Sequence, residues 1–239
     1  MNLPPLAKKM LAEFLGVMIF LTAITAVVVT PGAAPMHTFA LAAALVCAIL
    51  VAAPYSGAHL NPAVSLFFLA RRELSVNDFF GYVVAQLAGA VAGTAIGSLL
   101  RDKSILLPTL ETNTGMTGPS ALAIFLGEAV ATGGLLVIIG QLSIKKQGHL
   151  IPWAVGLWVA SAALWTVTGA QANPAVTFGR MFAQYGLSVQ NASVVFFAEI
   201  VGVLVATLLI FVFSDTKKAV AKKAPAATTA AAKKKPAAK

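Results

Sequence analysis

Apolar residues gather in six long blocks, near 10–30, 37–55, 79–100, 119–143, 151–168 and 191–213. Each is close to the length of about 20 residues that a helix needs to cross a hydrocarbon core. Of the 17 basic and 8 acidic residues only Glu13, Glu128 and Glu199 fall inside the blocks. The first block follows Lys8 and Lys9 in the manner of a signal peptide. It is longer than an h-region and contains Glu13, so it reads as a spanning helix. Two further apolar stretches, 64–70 and 176–182, are too short to cross, and each follows an Asn-Pro-Ala triplet. The pattern predicts an all-α membrane protein with six transmembrane helices and two re-entrant half-helices.

The triplets sit in matching surroundings. Ser-Gly-Ala-His-Leu-Asn-Pro-Ala-Val at 56–64 returns as Thr-Gly-Ala-Gln-Ala-Asn-Pro-Ala-Val at 168–176, which puts Asn173 112 positions after Asn61. Glu13 has its counterpart in Glu128, and Gln86 in Glu199. Each half, about 8–100 and about 119–214 of a channel domain at 1–214, holds three spans. An odd number of crossings makes the second half enter from the opposite side, which defines an inverted repeat. Short apolar segments at matching positions of such halves point to a pore or binding site at the midplane.

Asparagine is a favoured N-cap and proline a favoured first helical residue. Asn61-Pro62-Ala63 and Asn173-Pro174-Ala175 therefore each start a half-helix. Gly57 and Gly169 let the preceding loops turn tightly. Irregular backbone is tolerated at membrane depth only where it is buried in protein or lines a watery cavity. Two helix N-termini, each carrying about half an elementary charge, would face one spot and repel cations there. The amides of Asn61 and Asn173 can donate to a water oxygen, and the loops through Gly57, Ala58 and His59 and through Gly169 and Gln171 offer carbonyl acceptors. Glu13 and Glu128 read as buried acceptors that fix these loops, with a proton relay as the other reading.

With both motifs in place, residues from about 8 to 214 resemble the aquaporin or major intrinsic protein family, and Glu13, Gln86 and Glu128 stand where that family carries them. The resemblance implies a homotetramer with one pore per subunit, passing water or small uncharged solutes. Members narrow the outer side of the pore with four residues, usually including an arginine directly after the second motif. Here that position is Val176, and the other three fall on Leu41, Ser161 and Ala170. A shift of one residue would bring neighbouring alanines, Ala160 among them, into the ring. The chain thus resembles an atypical, bacterial-type member with a wide, uncharged filter, which implies glycerol, urea, ammonia or metalloid hydroxides as solutes beside water. Thr177 stands where glycerol facilitators usually carry an aspartate, which argues against a dedicated polyol channel. His59 is open to two readings, as a pH gate or as a ring that packs locally while its carbonyl lines the pore.

Composition supports the bilayer as solvent, with 59% hydrophobic and 10% charged residues, against about 25% charged in soluble domains. A net charge of +9 would suggest nucleic acid in a soluble protein. Here 14 of the 17 basic residues fall on one side of the predicted spans, and only Arg101, Lys103 and Arg180 on the other. The positive-inside rule then puts both termini in the cytoplasm, with the chain in the cell (plasma) membrane. The Lys-, Ala- and Pro-rich segment 215–239 reads as a disordered cytoplasmic tail near anionic lipid headgroups. It has no aromatic residue for base stacking, so no nucleic-acid partner is expected. Three scattered histidines and the single Cys47 leave zinc without ligands, and no nucleophile constellation appears. No cofactor and no enzyme activity are expected. The remaining alternative to a passive channel is a coupled secondary transporter using the same broken-helix midplane site.

Overall fold

The computed structural model describes residues 3–27, 34–104, 119–183 and 186–223. Among these there are eight α-helices and no strand. Six are long and apolar enough to cross a membrane. They are α1 (Pro5–Ala26), α2 (Ala34–Ser56), α4 (Val76–Leu99), α5 (Ala121–Ile144), α6 (Ile151–Trp165), which reaches that length with the 3-10 turn Gly148–Leu150 before it, and α8 (Val189–Lys223). The remaining two, α3 (Pro62–Ala70) and α7 (Pro174–Arg180), are short and start at the two Asn-Pro motifs. The chain is a multi-pass membrane protein built as an inverted repeat.

Local signals set the helix starts. Ser75 and Ser120 cap α4 and α5 by accepting from the backbone N–H of Asp78 and Ala123. Pro5 and Pro152 occupy the first turns of α1 and α6, where a missing N–H costs nothing. Two ends differ from the sequence expectation. The first helix ends at Ala26. The last runs on to Lys223, nine residues into the segment expected to be disordered from Asp215. Its Ala and Lys residues are strong helix formers, so a helix already nucleated in the membrane continues through them. Residues 224–239 of that tail lie outside the described residues.

Packing follows the repeat. In the first half α1 lies along α4, and in the second α5 lies along α8. Gly89 and Gly93 permit the first contact, because a Cβ on either would stand 2.4 Å from the carbonyl oxygen of Phe14 or Met18. At Gly202, facing Thr132 and Gly133, a Cβ would come within 2.8 Å. Without water to drive apolar association, helices in lipid hold together through such close backbone approach. Each pair flanks a half-helix, α3 against α4 and α8, α7 against α4 and α8.

A side chain at Gly93 has to push two helices apart, and overpacking of this kind costs about 1–3 kcal/mol. Gly93→Val should lower the apparent melting temperature of the detergent-purified protein, measured by loss of monodispersity on heating. Gly148→Ala, where nothing lies within 4 Å of the new methyl group, should leave it unchanged.

Candidate functional site

The two half-helices meet at their N-termini. Asn61 caps α3, its Oδ1 accepting from Ala63 N at 2.8 Å, and Asn173 caps α7, accepting from Ala175 N at 2.9 Å. Each then reaches across to the other half. Asn61 Nδ2 donates to the carbonyl of Ala172, and Asn173 Nδ2 to the carbonyl of Leu60, both at 2.8 Å. An amide nitrogen carries two N–H groups, so each asparagine keeps one for the lumen that it lines.

The loops before the caps are strained in the same way. Gly57, Ala58 and Leu60 have φ of 84°, 51° and 51°, and Gly169, Ala170 and Ala172 have 75°, 51° and 45°. Left-handed backbone at a non-glycine residue costs about 1–2 kcal/mol, so other contacts must hold it. One buried carboxylate per half does so. Glu13 Oε1 accepts from His59 N at 2.9 Å and Ser56 Oγ at 2.6 Å, while Oε2 accepts from Leu60 N at 2.6 Å and Gln86 Nε2 at 2.7 Å. Glu128 accepts from Gln171 N at 2.9 Å, from Ala172 N at 2.8 Å and from the Thr168 hydroxyl. With the N–H groups turned to the acids, loop atoms of Gly57, Ala58, Leu60, Gly169 and Ala170 border the lumen.

The second half has a third acid. Glu199 Oε1 accepts from Asn173 N at 2.7 Å and Thr177 Oγ1 at 3.0 Å, while its Oε2 is buried without a partner. Its counterpart Gln86 bonds both Glu13 and Ser65. His59 Nδ1 lies 3.1 Å from Ser65 Oγ, and its ring stacks on Phe68 at 4.8 Å between centroids and meets Tyr82 edge-on at 5.1 Å. The ring is thus packed locally while the residue borders the cavity.

Two cavities approach this junction from opposite faces. The one on the side of the N-terminus holds about 340 Å³ and extends from Glu73 and Ser143 inward to Asn61 and Asn173. Its wall is mostly apolar, with Leu45, Ile49, Leu135, Ile139 and Val155. The opposite one, the outer cavity, holds about 50 Å³ and is bordered by Ile24, Thr38, Leu41, Ala160, Ala163, Ala170, Val176 and Arg180. Phe20, Val159 and Gln171 border both and stand between them. Gln171 Nε2 is tied to the carbonyl of Thr168 at 2.7 Å.

Leu41, Ala170 and Val176 thus come together as the sequence places them. Ser161 does not join them. It is exposed on the outside of α6, and Ala160 and Ala163 form that wall, so the register of the expected ring is off by one residue. Leu41, Ala160, Ala170 and Val176 carry no charge, and the charged side chain that borders this cavity lies beyond them. Arg180, one turn beyond Val176 on α7, enters this small cavity, with its Nη1 3.5 Å from the carbonyl of Thr168. Sequence reasoning counted Arg180 only as a boundary charge. Its spacing of four from Val176, which puts both on one helix face, was the available signal.

Residues 2–166 match the model of the family described as Major intrinsic protein. Aquaglyceroporin AqpS of Rhizobium meliloti is 41% identical over 147 residues, which cover 61% of this chain and 60% of the relative. Glycerol uptake facilitator protein-like 6 of Lactiplantibacillus plantarum is 29% identical over 83% of this chain and 94% of its own length. The chain spans about 60% of the length of the rhizobial relative. Among solved structures, the aquaglyceroporin from Plasmodium falciparum shares the fold, with a TM-score of 0.65 at 23% identity over 88% of this chain and 96% of that one.

Removing Glu128 strands two loop N–H groups at the midplane, at about 1–3 kcal/mol for each unsatisfied group. Glu128→Ala should therefore lower thermal stability in detergent well below that of the native protein. Glu128→Gln keeps one acceptor oxygen and should lose less, and equal losses in the two variants would contradict the acceptor role.

Proposed function

Because the chain belongs to the major intrinsic protein family, we propose that it is a passive transmembrane channel for water and small uncharged solutes such as glycerol. One observation carries this reading. Two loops whose N–H groups are turned to buried acids and two half-helix N-termini converge on a single junction, where Asn61 and Asn173 each retain an amide N–H for the lumen. A solute oxygen can accept from these amides, while hydrogens on the solute find carbonyls before and after. Apolar walls elsewhere keep the solute weakly held, as rapid passage requires. The two positive helix ends oppose a cation at the same point.

The alternative of a coupled transporter draws less support. A proton-carrying acid needs freedom to release its proton, whereas Glu13 uses both oxygens and Glu128 both of its own on loop donors. The pore residues are those of the junction and the outer cavity, with Leu41, Ala170 and Val176 forming the ring and Ala160 replacing Ser161. The chain functions in the plasma membrane with both termini in the cytoplasm, as the basic residues at the N-terminal face indicate. Apolar residues left exposed on α2 and α6, including Phe39, Leu50, Val51, Trp153, Leu157 and Leu164, suit lipid and neighbouring subunits of a homotetramer.

The test is stopped-flow light scattering on proteoliposomes of the purified protein. Water and glycerol fluxes should exceed those of empty liposomes, follow the solute gradient and ignore imposed proton or sodium gradients. Val176→Arg should reduce glycerol flux several-fold more than water flux, because a long side chain then fills the ring. Flux no greater than in empty liposomes would sink the channel reading.

A further inference from the structure

Arg180 is a charged side chain in a small, otherwise mostly apolar cavity at membrane depth. Such residues are costly there and are functional candidates for that reason. Among the described residues its guanidinium makes one side-chain hydrogen bond, to the carbonyl of Thr168, and no ion pair with a carboxylate. The residue is partly buried and borders the outer cavity beside Val176. A guanidinium stays protonated and carries five N–H donors, so Arg180 brings a fixed positive charge to the cavity that it borders. Its place at the C-terminal end of α7 suits a cation, since the helix dipole is negative there.

Val176 lies one turn closer to the asparagine junction and presents an apolar side chain to the same cavity. Charge and steric limit are therefore carried by different residues at different depths. On the channel reading above, we propose that Arg180 is the specificity-determining residue that bars cations from the outer mouth, which leaves the ring at Val176 free to remain apolar. A unit charge within about 5 Å of the path, at an effective dielectric of about 20, changes an ion's occupancy there on the order of a hundredfold. Neutral solutes are nearly indifferent to it. A basic residue that merely extends from a helix end toward headgroup water would produce no such barrier.

The experiment uses proteoliposomes loaded with a sodium-sensitive dye, with glycerol flux recorded in parallel, for the native protein and for Arg180→Gln, Arg180→Lys and the double variant Arg180→Gln with Val176→Arg. Arg180→Gln should admit sodium at a rate up to about a hundredfold above native. Arg180→Lys should stay tight. The double variant should recover exclusion while losing glycerol flux, which a leak caused by misfolding would not do. Native-level sodium exclusion by Arg180→Gln in liposomes that still pass glycerol overturns the proposal and leaves the channel standing. Absence of glycerol and water flux in the native protein removes the channel premise and the proposal with it.

Discussion

Irregular backbone cannot sit in the middle of a bilayer unless each of its N–H groups finds an acceptor. The rest of this structure depends on how that demand is met. One carboxylate per half, Glu13 and Glu128, takes two consecutive loop N–H groups and a neighbouring hydroxyl. With the donors turned away from the pore, the loops can present oxygen to it. The left-handed residues in both loops are the conformational cost of this arrangement. The close glycine contacts of α1 with α4 and of α5 with α8 hold the acids at the right depth.

Much of this was legible in the chain. Spans were visible from apolar length, half-helices from Asn-Pro, and the repeat from two nine-residue segments. These signals are local or periodic, so they survive without coordinates. What failed needed rotation about a helix axis. Ser161 and Ala160 differ by about 100° around α6, and only packing decides which faces the lumen. Arg180 was read through its charge and its nearness to a boundary, although which cavity it borders depends on the rotation of α7. The end of α8 was missed for a different reason. Composition describes whether a segment can bury a core, whereas an Ala- and Lys-rich run attached to a finished helix needs no core to continue.

The repeat is symmetric in backbone and asymmetric in chemistry. Both loops carry the same sequence of positive φ values and the same acceptor. Around that frame the halves diverge, with Gln86 in one half where the other has Glu199 and His59 where the other has Gln171. The cavity at one face holds about 340 Å³ and the other about 50 Å³. The smaller volume lies at the face where α7 ends, beside Arg180.

The crossed amide bonds have a consequence for biogenesis. Asn61 donates to a carbonyl 111 residues later in the chain, and Asn173 returns the bond over a separation of 113. When the first three spans are synthesised, Asn61 and the Leu60 carbonyl have no final partners. The nascent first half must shelter unfinished polar groups at the centre of the membrane until α7 arrives. Assembly of the pore is therefore a late event, and a half-built subunit has to keep these groups from lipid until α7 has been made.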